Sequence, residues 1–179
     1  MIRRAISWNV IVLAGALVWA VPGEVTVTPV VKDETHVFAA FTAQSSFDDD
    51  VRKIVQSGLL TTFTYTLELN RPSVWFDHRL CGTTVGASVT FDSLTSRYQV
   101  QKLREGRVTR SERLEKYADV REWMTVFDQV PLEPCEALEP NVDYYVRVRL
   151  RTSPRPNSFS LWPFGRDDAS GRKDFTYVR

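Results

Sequence analysis

Residues 61–69 of this 179-residue chain read TTFTYTLEL, and this stretch decides the fold class. Apolar side chains at positions 63, 65, 67 and 69 alternate with polar side chains at positions 62, 64, 66 and 68. Successive side chains of an extended strand point to opposite faces, so the alternation predicts a β-strand with one face in a core and the other in water. Residues 144–151 alternate in the same way and predict a second strand, with Tyr144, Val146, Val148 and Leu150 facing inward and Tyr145, Arg147, Arg149 and Arg151 facing outward.

Further extended segments are predicted on both sides of these two strands. The segments 25–31 and 35–42 predict a hairpin with Pro29 on an edge strand, because proline cannot donate a hydrogen bond to a neighbouring strand. Five more segments are predicted to be extended, and they cover residues 74–76, 85–91, 97–103, 108–114 and 175–178. Most of these segments follow one another through short turns, which indicates an antiparallel meander.

A short helix is predicted between residues 45 and 58. Its apolar residues recur at helical spacing and are Phe47, Val51, Ile54 and Val55. Ser45 or Ser46 is predicted to cap its start, and Gly58 is predicted to end it. The three carboxylates at positions 48–50 favour the positive end of the helix dipole. A calcium site would instead need six or more oxygens from a wrapped loop, and here the carboxylates open a helix.

A second helix is predicted over residues 117–129, which a proline-rich loop ends at Pro131. Its apolar side consists of Val120, Trp123, Met124 and Phe127. Seven or eight short strands and two short helices predict a mainly β fold, an antiparallel β-sandwich. The sandwich is predicted to cover residues 24–165, after a signal sequence or anchor at residues 1–20 and before a polar tail with a terminal strand at residues 166–179.

The first twenty residues have the pattern of a secretion signal. Arg3 and Arg4 precede an uncharged stretch, and Val18 and Ala20 are small enough for a leader peptidase, which predicts cleavage after Ala20. The uncharged stretch also approaches the roughly 17 residues that can span a bilayer. An uncleaved membrane anchor therefore stays open as the alternative. Both interpretations place the folded domain outside the cytoplasm, either free in the periplasm or anchored to the inner membrane.

Cys81 and Cys135 are the only two cysteines of the chain. An even number of cysteines in an exported protein allows a disulfide. Closing a loop of this length would stabilise the fold by about 4 kcal/mol in the chain-entropy model. The alternative is two separate thiols whose Cα atoms lie too far apart to be joined.

The charge of the folded part is close to zero. The whole chain has 23 basic and 22 acidic residues, for a formal net charge of +1. Without Arg3 and Arg4 of the leader, 21 basic residues face the same 22 acidic residues, which gives a net charge of −1. A near-neutral domain offers no electrostatic reason to expect a nucleic-acid partner.

The sequence contains no recognisable catalytic, cofactor-binding or metal-binding motif. It lacks G-x-S-x-G, H-E-x-x-H, C-x-x-C, the Walker loop and G-x-G-x-x-G, and its two histidines, His36 and His78, have no metal-ligand spacing. Residues 170–173 match S-x-x-K without the companion motifs of that site. Asp77 next to His78 is a weak acid–base candidate, because neighbours on a strand point to opposite faces. We therefore predict no catalytic residue, no cofactor and no metal.

Two features are candidate contact surfaces. The first is a row of cations on one predicted strand face, which consists of Arg147, Arg149, Arg151 and, beyond the strand, Arg155. Such a row suits an anionic lipid head group or an acidic protein surface. The alternative is a solvated face paired with Glu68 or Asp92, or an edge protected against aggregation. The second feature is an apolar cluster, either an exposed docking patch or the closure of the sandwich, which consists of Phe159, Leu161, Trp162 and Phe164.

Several motifs that are individually loose follow one another in a distinctive order. They are residues 47–59 (FDDDVRKIVQSGL) with 61–71, 74–77 (VWFD), 96–100 (SRYQV), 138–140 (LEP), 144–149 (YYVRVR) and 158–162 (SFSLW). In this order they resemble a bacterial family of exported proteins catalogued as domain of unknown function 4390. The resemblance covers most of the chain, from about Val25 to Phe164, while the two cysteines and the polar tail after Gly165 depart from the family pattern. It implies a bacterial envelope protein with a leader or anchor before one domain, and it brings no reaction or catalytic residue.

These observations lead to one main hypothesis and two alternatives. The main hypothesis is a non-catalytic binding or assembly module of the bacterial cell envelope, in contact with an envelope protein or with anionic lipid head groups. It would meet the membrane itself only through an uncleaved N-terminal segment. The first alternative is an enzyme of unrecognised type with a concave pocket near Trp75, Asp77 and His78. The second alternative is an extracytoplasmic accessory or sensing partner of a membrane protein.

Overall fold

The structure is a computed structural model that describes residues 23–132, 134–154 and 169–178. These residues form a mainly β domain with two short helices, as predicted. Its strands are β1 Gly23–Glu24, β2 Thr26–Val31, β3 Val37–Thr42, β4 Thr61–Arg71, β5 His78–Asp92, β6 Arg97–Arg104, β7 Arg107–Leu114, β8 Val126–Leu132, β9 Val142–Ser153 and β10 Ala169–Tyr177. Its helices are α1 Asp49–Gln56 and α2 Tyr117–Thr125, and a 3-10 turn covers Gln44–Ser46.

The strands form two sheets that pack against each other. The larger sheet has the strand order β1-β10-β9-β4-β5-β6-β7, and the smaller sheet has the order β2-β3-β8. All neighbouring pairs are antiparallel except the two-residue strand β1, which runs parallel to β10. Pro29 lies on β2, an edge strand of the smaller sheet, as the hairpin pattern predicted.

The core lies between the two sheets and is rich in aromatic rings. The inward side chains of β4 are fully buried, and they are Phe63, Tyr65, Leu67 and Leu69. The ring of Tyr65 lies 4.7 Å from that of Phe41 and 5.1 Å from that of Phe127, both in the smaller sheet. The Tyr65 hydroxyl donates to the main-chain oxygen of Met124 over 2.9 Å, so burial leaves no unsatisfied polar group on this ring.

Helix α1 begins one turn later than the serines suggested. Asp48 is its N-cap, and one oxygen of its carboxylate accepts from the main-chain N–H groups of Asp50 and Val51 at 3.1 and 2.9 Å. The prediction of Ser45 or Ser46 as the cap was wrong, because the Ser45 hydroxyl donates to the main-chain oxygen of Glu24 instead. Gly58 follows the helix with a φ of +82°, a conformation that glycine adopts without steric cost.

The second helix is shorter than its apolar pattern predicted. It ends at Thr125, and the next residue, Val126, is already extended and begins β8. Phe127 therefore lies on a strand, where its ring stacks on that of Phe41 at 4.8 Å. The sequence analysis missed β8 because its buried residues continue the helical spacing of α2. Pro131 falls within β8, which is tolerated because β8 is an edge strand.

Two other extended segments differ from their predictions. Residues 74–76 form a bend between β4 and β5 and are not the start of a strand, which begins at His78. The C-terminal strand is longer than predicted and starts at Ala169, and it lies inside the larger sheet between β1 and β9. The sheet therefore includes residues beyond position 165. Of the described helices, none is long and apolar enough to cross a membrane; the leader and Ala20 lie outside the described residues.

Candidate functional site

The loop between β4 and β5 places three consecutive apolar side chains in water. We call residues 72–77 the aromatic loop. Val74, Trp75 and Phe76 are adjacent in the chain, and all three are largely exposed, at 92%, 85% and 87%. Isolated exposed apolar residues are ordinary, but a contiguous group of large ones is typical of an interaction surface.

One local and one long-range hydrogen bond hold the base of the aromatic loop. One oxygen of the Asp77 carboxylate accepts from the main-chain N–H of Ser73 at 3.3 Å, which closes the loop on itself. The other oxygen accepts from the hydroxyl of Tyr145 on β9 at 2.5 Å. These contacts tie the loop to a central strand of the larger sheet, so its tip projects from a fixed support.

The alternation on β9 predicted that Tyr145 faces water, and this prediction was wrong. It is only 1% exposed, because arginines from its own strand and from β10 cover its ring. The guanidinium of Arg172 lies 3.7 Å from the ring centroid, and that of Arg147 lies 5.1 Å from it. The alternation rule failed at this residue because the outer face of the sheet has a cover of its own here.

The hydrogen bond between Tyr145 and Asp77 also sets the charge state of both groups. Donation from the Tyr145 hydroxyl is the main cause that lowers the pKa of Asp77, and the N–H of Ser73 adds to it. Burial is the main cause that raises the pKa of Tyr145, with the Asp77 hydrogen bond second. At neutral pH the pair therefore consists of a carboxylate that accepts and a phenol that donates.

The segment after β8 braces the other side of the hairpin. Cys81 on β5 and Cys135 form a disulfide with a Cα–Cα distance of 4.8 Å, which is the pairing that the sequence analysis considered. His78 Nε2 lies 3.2 Å from an oxygen of Glu136, and Arg71 Nη1 lies 2.7 Å from an oxygen of Glu139. One covalent and two polar contacts thus join residues 135–139 to both strands that carry the aromatic loop.

The predicted arginine row lies beside the aromatic loop, and two of its arginines contact side chains of the larger sheet. Arg149 forms an ion pair of 2.7 Å with Glu68 on β4, one of the two carboxylates that the sequence analysis considered as partners. Asp92, the other, accepts instead from the Leu94 N–H and the Thr95 hydroxyl of its own turn. Arg147 donates to the Tyr145 hydroxyl at 3.3 Å, so the row begins at the base of the aromatic loop.

The structure separates some of the predicted site residues and does not describe others. Asp77 and His78 face different partners, Tyr145 and Glu136, and so they do not form an acid–base pair. Trp75 is exposed on the loop tip. Five members of the predicted contact surfaces lie outside the described residues, and they are Arg155, Phe159, Leu161, Trp162 and Phe164.

Sequence reasoning missed the exposure of the aromatic loop, although a signal was present. Residues 74–76 are three adjacent apolar residues without alternation, and Pro72 with Ser73 before them and Asp77 after them are frequent in turns. An unbroken apolar run inside turn residues indicates a loop with its apolar side chains outside, since a short strand with one buried face would alternate.

Neither a curated protein nor a solved structure gives a significant match to the chain. The family described as "Domain of unknown function (DUF4390)" matches residues 23–165, which include both sheets apart from β10 and the whole aromatic loop. On this match over most of its length, the chain belongs to the DUF4390 family.

Proposed function

We propose that this protein is an exported, non-catalytic binding or assembly module of the bacterial cell envelope, with the aromatic loop and the adjoining arginine row as its contact surface. The observation that carries the proposal is the exposure of Val74, Trp75 and Phe76 on a loop with a fixed base. Export is supported by the leader pattern at residues 1–20 and by the Cys81–Cys135 disulfide, since disulfides persist in oxidising compartments.

The aromatic loop suits recognition of a protein because its support is already ordered. Tryptophan and arginine are enriched among the residues that contribute most binding free energy at protein interfaces. Trp75 is exposed at the loop tip, and Arg147 lies next to the Tyr145–Asp77 hydrogen bond at the loop base. A loop that is ordered before binding loses less conformational entropy when a partner contacts it.

The partner that fits this surface is an envelope protein with an apolar pocket bordered by carboxylates. The pocket would receive Trp75 and Phe76, and the carboxylates would face the arginines. An anionic membrane surface fits less well, since Arg149 and Arg172 already contact Glu68 and Asp174 within the domain.

The direction of the strands also favours a partner away from the N-terminal segment. Strand β10 runs toward the aromatic loop, because Ala169 is level with Leu150 and Tyr177 is level with Val142 at the start of β9. Strand β1 runs parallel to β10, so the chain enters the sandwich from the end opposite the loop. If the N-terminal segment is an anchor, the aromatic loop points away from that membrane.

Photocrosslinking in intact cells tests the proposal. A p-benzoylphenylalanine at position 75 should give one discrete protein adduct, whereas the same group at position 94 should not. Leu94 is the matched control because it is 95% exposed on the turn between β5 and β6, at the other end of the sandwich. The partner identified from the adduct should then bind the purified protein, and Trp75→Ser with Phe76→Ser should remove that binding without changing the Tm.

Three outcomes would contradict the proposal. The first is equal crosslinking from positions 75 and 94. The second is an adduct with lipid alone, together with binding to phosphatidylglycerol vesicles that Trp75→Ser removes; this result would transfer the surface to a membrane. The third is an identified partner whose affinity does not change in the Trp75→Ser, Phe76→Ser variant.

A further inference from the structure

A cavity of about 410 Å³ lies between the β6–β7 hairpin and strand β8, away from the aromatic loop. Its walls are largely apolar and include Val85, Leu103, Val126, Phe127, Val130 and Pro131. Three cations and one carboxylate also line it, and they are Lys102, Arg104, Arg110 and Asp128. A mostly apolar concave site with a few convergent polar groups is typical of small-molecule sites, and its volume lies within their usual range of about 300 to 1,000 Å³.

Lys102 is the unusual residue in this cavity. It lies on the inward face of β6, where Val100 two residues earlier is fully buried. Its ammonium nitrogen donates to the main-chain oxygen of Val126 at 2.8 Å and lies 3.3 Å from the centroid of the Phe127 ring. Within residues 23–132, 134–154 and 169–178, no carboxylate oxygen lies within 4.0 Å of this nitrogen.

The surroundings of Lys102 disfavour its positive charge. The pKa of Lys102 is lowered to about 7, and burial is the main cause. The negative charge of Asp128 on β8 opposes this shift, and the positive charge of Arg110 adds to it. Arg110 on β7 forms an ion pair with Glu112 of the same strand and packs 4.8 Å from the Trp123 ring. Among the described residues, Lys102 thus has a carboxylate nearby, that of Asp128, but none in direct contact with its ammonium group.

We propose that this cavity binds a small apolar carboxylate, anchored by its carboxylate group to Lys102. The apolar walls would hold the hydrocarbon part of such a ligand. The ligand carboxylate would give Lys102 a negatively charged partner. Of the three ammonium N–H groups, one is donated to the Val126 oxygen and one faces the Phe127 ring, which leaves one for the ligand. Arg104 and Arg110 at the cavity wall add positive potential for the same group.

The proposal implies that binding and protonation of Lys102 are coupled. Only the protonated amine attracts the carboxylate, so binding must raise the pKa of Lys102. Affinity should be highest between about pH 5, where an aliphatic carboxylic acid ionises, and pH 7, where free Lys102 begins to lose its proton. Above pH 7 the affinity should fall about tenfold per pH unit until the pKa of the bound state is reached.

Octanoate is a suitable probe, and titration calorimetry on the full chain is the measurement. Lys102→Met should weaken octanoate binding at pH 6.5 by about tenfold or more, because it keeps the length of the side chain and removes the charge. Lys32→Met is the matched control, since Lys32 also lies over an aromatic ring, Phe38, but on an exposed turn. Octan-1-ol, which has the same chain without the charge, should bind wild type and Lys102→Met equally.

A second measurement keeps the proposal falsifiable if Lys102→Met folds poorly. The NMR signal of the Lys102 side-chain carbon next to the amine, followed against pH in wild type, should titrate near 7 without octanoate and at higher pH with it. The proposal fails if octanoate leaves that titration unchanged, if its affinity is equal at pH 6.5 and pH 9, or if folded Lys102→Met binds it as wild type does. None of these results bears on the aromatic loop, which crosslinking tests separately.

Discussion

The aromatic loop and the Lys102 cavity are both exceptions to the rule that apolar side chains are buried and charged ones are exposed. The loop holds Trp75 and Phe76 in water, and the cavity holds the ammonium of Lys102 among aromatic rings. Each arrangement is unfavourable by itself. Each depends on contacts with residues far away in the chain, since Asp77 binds Tyr145 and Lys102 binds the main chain of Val126. Sites that the tertiary structure stabilises at a local cost are the places where function is expected.

The turn between β5 and β6 is a useful third point in this comparison. Leu94 is as exposed as Val74, but it is a single apolar residue, and its turn is closed locally by the Asp92 carboxylate. The hydrogen bonds to the Asp92 carboxylate come from within the turn itself, from the Leu94 N–H and the Thr95 hydroxyl. Exposure of one apolar residue is therefore ordinary, and the proposed contact surface rests instead on several large exposed side chains on a loop that Tyr145 braces.

Breaking the disulfide should have the largest effect on stability. Cys81→Ala with Cys135→Ala should lower the free energy of unfolding by about 4 kcal/mol, because the loop between them regains its entropy in the unfolded chain. Chemical denaturation with and without reductant measures this. Reductant should lower the stability of wild type and leave the double variant unchanged; an equal response of both proteins would contradict the prediction.

Replacing Lys102 should have the next largest effect, with the opposite sign. At pH 6, Lys102→Met should stabilise the fold by about 1 to 4 kcal/mol, since a charge without a carboxylate partner is exchanged for a packed apolar chain. The folded pKa of about 7 lies below the usual value of 10.5, so the unfolded chain binds more protons between these two pH values. Wild type should therefore regain stability relative to the variant as the pH rises from 7 toward 10.5.

Unfolding of both proteins across pH 6 to 10 measures the Lys102 effect, and Lys32→Met serves as its control. If the stability difference between Lys102→Met and wild type stays constant over this range, the pKa of Lys102 is not lowered in the folded protein. An advantage that grows with pH would contradict the assigned direction of the pKa shift.

Removing the Tyr145 hydroxyl should loosen the aromatic loop. Tyr145→Phe should lower the free energy of unfolding by less than the loss of the disulfide does, because it removes one hydrogen bond, to an exposed carboxylate. The pKa of Asp77 should rise toward its ordinary value when its main donor is lost. Hydrogen exchange at the Ser73 amide should become faster, while exchange at the Leu94 amide should stay the same. Equal exchange at Ser73 in both proteins would mean that the loop does not depend on this bond.

The same bond gives a pH dependence with a defined sign. The pKa of Asp77 is lowered in the folded state, so its contribution to stability is complete above the ordinary pKa of an aspartate and is lost as the pH falls through the folded value. Wild type should lose stability relative to Tyr145→Phe in that acidic range. Parallel acid titrations of the two proteins check this difference.

Changing the loop tip should have the smallest effect on stability and the largest on binding. Trp75→Ser should change the free energy of unfolding by no more than about 0.5 kcal/mol, because the side chain is 85% exposed. A large loss of stability would mean that Trp75 packs on the domain and is not available to a partner. Leu94→Ser, on the unsupported turn, should leave both stability and crosslinking unchanged.

Much of the fold could be predicted from local patterns. The alternation at residues 61–69 identified β4, and helical spacing with Gly58 identified α1 and its end. The adjacent extended segments 97–103 and 108–114 predicted the hairpin of β6 and β7, and in the structure Glu105 and Gly106 form its turn with φ values of 47° and 75°. These features depend on interactions between residues close in the chain, and so they can be predicted from local sequence patterns.

The candidate sites were less predictable, for a specific reason. Strand β8 was interpreted as helix because its buried residues continue the spacing of α2, and only the pairing of β8 with β3 decides otherwise. Lys102 carried a signal that was not used, since Tyr98, Val100 and Lys102 alternate on β6 and place a charged residue on the inward face. A charged residue in phase with buried ones is worth testing as a site.

The sequence by itself determined the mainly β class, the first helix and the family resemblance, while it left open whether Cys81 and Cys135 are joined. Only the tertiary structure decided that Tyr145 is buried, that Trp75 is exposed on a braced loop and that Lys102 lines a cavity. The physical reason is the range of the interactions. Periodicity and turn chemistry act between near neighbours, whereas the cover over Tyr145 comes from Arg172 on another strand and the bond that fixes Asp77 comes from a residue 68 positions away.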